Sequence, residues 1–429
     1  HMDIRRDLIG RGHHFVSESD SEAILHLLEE GAEGIQRLGG MFAFAFLDAR
    51  RRKLVLCRDR FGVKPLYYAR SGKAFLFASE IKALFCHPGI RPELDRMRVR
   101  ELLQYHYVGG EHGLFKGVLE LMPGHYLELD LDSMESKIVS YWHPDYRRDS
   151  SFGGDTTLLQ ALQSSVKMRL MSDVPLGAQL SGGLDSSLIT ALATRERTGS
   201  MHTFSVAFSG ADIDESRWSR LMSSSLGTIH HEVDFGETDF LENLAYCAWL
   251  NDTPLAHPNS VPLYKMCREA KKSITVMLTG EGADELFGGY SWHRRLHRIS
   301  RLGGLRKWGL TRFMTSLLLG QERSIKVADL LGASAGKIAA EAGKWTQDRL
   351  VDRILVPGLE PQTVPFREAL PVLSEDFVSE VIRLDLLTYL VSVLQRQDRM
   401  GMASGVEARV PFLDHRFAEL ALKLPVSAI

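Results

Sequence analysis

The sequence predicts an α+β sheet layer followed by a doubly wound α/β parallel sheet with a helical C-terminal part. Three observations predict it. Residues 40–78 hold four short apolar segments separated by polar turns, the pattern of a β-meander. From Thr156 onward, strand-like runs alternate with helix-like ones, the pattern of βα units around a parallel sheet. Two of those strand–helix joins are dense in chemistry, one rich in Ser and Gly and one acidic. The boundary is expected near 150, dividing the chain into 1–150 and 151–429.

The 429 residues suffice for two or three domains, and a formal charge of −2 argues against a general nucleic-acid binder. No apolar run reaches the roughly 20 residues of a membrane span, and no stretch has the build of a signal peptide. The four cysteines, Cys57, Cys86, Cys247 and Cys267, have no paired spacing, so neither a disulfide framework nor a cysteine-based zinc site is indicated. A reduced, cytoplasmic setting is expected. His1-Met2 reads as an appended pair.

Ser21 to Glu30 reads as an amphipathic helix capped by Ser19 or Asp20. Gly40 to Asp48 alternates large and small residues and is expected to be a strand buried on both faces. Leu54 to Arg58 follows as a strand, Asp59 to Tyr68 as a tight turn and a third strand and Ala74 to Ala78 as a fourth, and Ser79-Glu80 leads into a helix. Gly113 to Leu127 reads as a hairpin without catalytic role.

Thr156 to Met171 has helical spacing, and Val174 to Leu180 reads as a buried strand. Then comes Ser181-Gly182-Gly183-Leu184-Asp185-Ser186-Ser187, ahead of a helix. Free backbone N–H groups at a helix start cradle phosphate oxygens, and glycine lets a ligand approach the backbone. Ser181, Ser186 and Ser187 add hydroxyl donors, and Asp185 suits a divalent cation. Strands are expected at 202–208, 228–235 and 274–279, with helices between. The last strand runs into Thr279-Gly280-Glu281-Gly282-Ala283-Asp284-Glu285, where three crowded carboxylates call for a cation. Ligands in such sheets sit at the carboxyl ends of the strands, so both loops are expected to face one crevice. His230-His231 is read as structural, because neighbours on a strand point to opposite faces.

These motifs carry a resemblance. SGGLDSS at 181–187 resembles the pyrophosphate loop of the N-type ATP pyrophosphatases. GMFAFAFLD at 40–48, RDRFGVKPLYY at 58–68 and FASEIKAL at 77–84 resemble the second half of a class II glutamine amidotransferase domain, as in asparagine synthetases. GEGADELFGGY at 280–290, and DRMGMA at 398–403 followed by VEARVPFLD at 406–414, resemble later signatures of that family. The resemblance spans nearly the whole chain and implies an amidotransferase-type sheet layer followed by an ATP-pyrophosphatase-type sheet.

It further implies ATP and Mg²⁺, with aspartate and either ammonia or glutamine as substrates, no nucleic acid, no membrane and room for a homodimer. Asp185 and Asp284 would hold Mg²⁺. Leu180, Ser181, Gly182, Gly183, Asp185, Ser186, Ser187, Val206, Thr279 and Gly280 would bind ATP. Glu281 would work on the pyrophosphate side or as base towards ammonia, and Arg399 would neutralise departing pyrophosphate. Asp20 would grip glutamine, although an isolated Asp at this place is more often a helix cap. The family's amino-terminal cysteine nucleophile has no counterpart before Cys57, so glutaminase activity is not expected. By the same comparison the chain reads as short by roughly seventy residues in front and roughly a hundred behind. Residues Leu255 to Ser260 resemble a loop beside the substrate carboxyl and equally fit a structural loop. Two other readings stand: an amide-forming relative acting on another carboxylate, of the β-lactam synthetase or peptide cyclase type, and a non-catalytic nucleotide-binding remnant. The intact Asp185, Glu281, Asp284 and Arg399 speak against the remnant.

Overall fold

The computed structural model describes residues 1–149, 155–208, 215–255, 257–294, 296, 335–355, 364–374 and 376–428. The expected helical C-terminal part therefore falls in part outside the described residues. The chain forms two compact units, 1–92 with 117–144, and 93–116 with 145–429. The sequence placed one boundary near 150; the segment 93–116 clusters with the second unit ahead of it.

In the first unit the expected single meander is two sheets. Strands β1 (Ala43–Asp48), β2 (Lys53–Arg58), β6 (His125–Asp130) and β7 (Ser136–Ser140) form one, in that order. Strands β3 (Tyr67–Ser71), β4 (Ala74–Ala78) and β5 (Val118–Glu120) form the other, ordered β4-β3-β5. The chain leaves the first sheet at a turn built on Asp59, whose carboxylate accepts from the backbone N–H groups of Phe61, Val63 and Lys64. Arg58, fully buried, holds the same turn by donating to the carbonyls of Gly62, Lys64 and Leu121 and pairing with Glu120. The charges of this motif are thus structural. The strand buried on both faces is β2: Val55 and Cys57 pack with Ile35 and Tyr141, while Leu56 packs with Leu127 and Leu129. The alternating β1 is an edge strand with Leu47 exposed, because its outer side has no partner strand.

The second unit is organised by a five-stranded sheet. Strands β8 (Leu176–Gln179), β9 (His202–Ala207), β10 (Ile229–Asp234), β11 (Val276–Leu278) and β12 (Glu407–Arg409) run in the order β10-β9-β8-β11-β12. Every pair is parallel. The doubly wound sheet holds, with one addition: β12, from the stretch read only as part of a family signature, is a fifth strand alongside β11. Its Glu407 and Arg409 side chains pair at 2.7 Å. The helix following β8 begins earlier than expected, at Leu184, so Asp185, Ser186 and Ser187 sit in its first turn. In the C-terminal part, the helices Phe377–Leu387 and Tyr389–Ala403 follow one another, broken at Thr388. Strand order reverses between β8 and β11, so the loops after these strands flank the switch point, where such sheets bind ligands.

Candidate functional site

The two loops meet closely. A Cβ added to Gly280 would lie 3.0 Å from the Ser186 backbone N and 3.2 Å from Asp185 Cβ. Gly182, with φ +84°, lies against the helix Ser216–Leu226; its Cβ would come within 2.5 Å of the Ser219 backbone N. Glycine is required at both places for close backbone approach. The Ser181 and Ser186 hydroxyls bond each other at 2.9 Å, and the Ser181 hydroxyl also accepts from the Gly183 N–H at 3.2 Å. The loop is therefore preformed.

The carboxylates behave as the crowding requires. Burial pushes Asp185 up to about 6, helped by the negative charges of Asp284 and Glu281. Burial also raises Asp284, with His293 and Arg294 opposing it. Glu285, fully buried, is pushed up to about 8 by desolvation and accepts from the Tyr290 hydroxyl at 2.7 Å. It supports the loop from behind.

A cavity of about 230 Å³ opens beside the loops. Its lining includes three of the expected residues, Ser181, Val206 and Glu281. The lining does not include Leu180, Gly182, Gly183, Asp185, Ser186, Ser187, Thr279, Gly280 or Asp284; Leu180 is fully buried, its N–H donating to the Phe204 carbonyl. Nor does it include Arg399, which lies buried in an ion pair with Asp252 at 2.7 Å and donates to the Leu250 carbonyl. The arginine bordering the cavity is Arg396, bound to Glu281 at 2.6 Å and to Asn259 Oδ1 at 3.1 Å. Sequence reasoning missed Arg396 and Gln397, and offered Asn259 only as part of the Leu255–Ser260 loop; the signal for Arg396 was a second cation one helical turn before Arg399. Asn259 comes from the Leu255–Ser260 loop, of which Ala256 lies outside the described residues.

Whether a nucleotide with a divalent cation fits can be judged from what is left unpaired. Among the described residues, Gln179 Oε1, Ser187 Oγ, Thr279 Oγ1 and both amide atoms of Gln397 are buried without a hydrogen-bond partner. Buried polar atoms without partners are rare, and these surround the switch point. Two half-buried carboxylates, Asp185 and Asp284, add a place for a cation. The residues fit. Asp20 belongs to the first unit, exposed in the first turn of the helix Asp20–Glu29, whose cap is the Ser19 hydroxyl. His230 and His231 diverge: His230 bonds Thr203 and Ser205, while His231 bonds His202 and stacks on Phe204.

Fold and site together define a nucleotide-binding protein of the doubly wound α/β class. The asparagine synthase family description matches residues 157–428, and that of the glutamine amidotransferase domain matches residues 1–142. The chain belongs to the asparagine synthase family. It is 32% identical over 445 residues to asparagine synthetase (glutamine-hydrolyzing) 3 of Bacillus subtilis, covering 99% of this chain and 67% of the relative. It is 30% identical over 441 residues to asparagine synthetase (glutamine-hydrolyzing) 1 of the same organism, covering 99% of this chain and 68% of that relative. The chain thus spans about two thirds of the length of these relatives. No described helix is long and apolar enough to cross a membrane.

Proposed function

We propose that the chain is an ATP-dependent carbon–nitrogen ligase that converts aspartate to asparagine. The side-chain carboxylate of aspartate attacks the α-phosphorus of ATP, pyrophosphate leaves, and ammonia then displaces AMP from the acyl-adenylate. What supports this reading above all is the convergence of the two loops at the switch point, with family membership over both parts of the chain.

Asp185 and Asp284 are the residues to hold Mg²⁺, which when bound supplies positive charge to the phosphate oxygens. Ser181, Gly182, Gly183, Ser186 and Ser187 offer N–H and hydroxyl donors to the phosphates. Leu180, Val206, Thr279 and Gly280 flank the nucleoside. Arg396 takes the part first assigned to Arg399, a fixed guanidinium facing charge that builds as pyrophosphate departs. Glu281 accepts the proton that ammonia sheds on forming the amide. Asp20 is retained as a contact for the amino group of glutamine.

The test is pyrophosphate release from Mg²⁺-ATP, with aspartate and ammonium each added or withheld. The expected result is release that needs aspartate, and asparagine that forms only with ammonium. Release driven by another carboxylate, with aspartate inert, would move the assignment to another amide-forming enzyme. ATP bound without any release would mark a nucleotide-binding remnant.

A further inference from the structure

Far from the switch-point loops in sequence, the first unit holds a group of side chains that neither the loops nor the cavity use. Among the described residues, His13, His26 and Glu29 are the one group of three whose ligand atoms all lie within 4.8 Å of one another. His13 Nδ1 is 3.2 Å from His26 Nδ1, and His26 Nδ1 is 3.2 Å from Glu29 Oε2. Two ligands on a tetrahedral zinc, each about 2.0–2.1 Å from the metal, stand about 3.3 Å apart. The observed spacings match that edge length.

Proton bookkeeping points the same way. Without a cation, a single proton on His26 Nδ1 has to serve both the His13 ring nitrogen and the Glu29 carboxylate. A cation satisfies all three lone pairs at once. The far nitrogens are also arranged for it. His13 Nε2 meets Glu30 Oε1 at 3.1 Å, and His26 Nε2 faces Glu22 Oε1 at 3.7 Å. Glu30, within hydrogen-bond reach of His13 Nε2, favours the His13 tautomer that presents Nδ1 to a metal, and Glu22 places negative charge behind the His26 ring. Glu30 is itself held by Arg11 at 2.6 Å, and Glu22 by the backbone N–H groups of Val16 and Ser17. Phe15 covers the His26 ring, with centroids 4.6 Å apart. Both imidazoles are mostly shielded, 18% and 16% exposed, while Glu29 opens to solvent.

We propose that His13, His26 and Glu29 bind a zinc-type divalent cation, with water in the fourth position, tying the segment before the helix Asp20–Glu29 to that helix. Cysteine spacing could not reveal this site, because its ligands are two histidines and a glutamate.

The experiment titrates the tag-free full chain with zinc chloride alone against a competing chelator, and records X-ray absorption of the zinc-loaded protein. Expected are one tight zinc per chain, two imidazole ligands and no sulfur. His13→Asn and His26→Asn each abolish the tight site. Glu30→Gln weakens it roughly 10- to 100-fold, and His14→Asn, an exposed neighbour, leaves it unchanged. Tight binding that survives both histidine substitutions, or sulfur ligation, or no binding tighter than that of the substituted chains, overturns the proposal. Should His26→Asn fail to fold, the Glu30→Gln titration and the wild-type absorption spectrum decide alone.

Discussion

Arg396 and Arg399 lie on one helix, three residues apart, in opposite chemical situations. Arg396 borders the cavity between Glu281 and Asn259. Arg399 is spent on Asp252, at 2.7 Å and with both side chains nearly inaccessible. Substituting each by Gln therefore separates catalysis from folding. Arg396→Gln removes a cation aimed at developing phosphate charge, and such losses cost about 10²–10³ in turnover. Its melting temperature is expected to stay close to wild type, since the Glu281 carboxylate it leaves keeps some solvent. Arg399→Gln removes the ion-pair partner of the buried Asp252 carboxylate, at a cost of up to about 3–5 kcal/mol. It is expected to lower the melting temperature strongly, while any folded fraction keeps its affinity for ATP. Thermal melts and pyrophosphate-release kinetics on both variants check this; equal kinetic loss in a stable Arg399→Gln would return that residue to the site.

The two loops matter as a pair of backbones. In Gly280→Ala the new methyl meets the Ser186 backbone N and Asp185 Cβ, neither of which can move without shifting the helix start. We expect a stability loss of about 1–3 kcal/mol and at least a tenfold weaker ATP affinity. Gly183→Ala meets only the Ser181 hydroxyl, at 3.3 Å, and is expected to melt near wild type. Denaturant titration of the two variants, with ATP binding by calorimetry, distinguishes them. These loops were legible in the sequence because glycine, serine and acid crowding are local signals between apolar runs. β12 was not, since Glu407-Ala408-Arg409 has no apolar pattern and becomes a strand only by pairing with β11. The split of the amino-terminal strands into two sheets was hidden for the same reason. It depends on β5 reaching β3 and β6 reaching β2, pairings about fifty to nearly eighty residues apart that no local window contains. Arg396 escaped because two cations one turn apart look alike until their neighbours are known.

For the molecule as a whole, the open question is where its nitrogen comes from. A thiol route to ammonia from glutamine needs an accessible thiolate, activated by a nearby positive charge or helix start. Cys57 sits in the middle of β2 with no exposure, and burial pushes its thiol far up. Cys247 and Cys267, in the second unit, are pushed up by burial to about 11 and about 12. Cys86 is exposed, but its thiol donates to the Lys82 carbonyl at 3.8 Å, at the end of a helix and not at its start. None of the four has the surroundings of a nucleophile. With Mg²⁺-ATP and aspartate, ¹⁵N-ammonium is therefore expected to give labelled asparagine, while amide-labelled glutamine at the same concentration gives none. Glutamate release from glutamine alone should stay at the buffer rate. Asparagine formed from glutamine by this chain would mean that one of these thiols, most plainly Cys86, is reactive after all, and Cys86→Ser would then identify it by abolishing that activity alone.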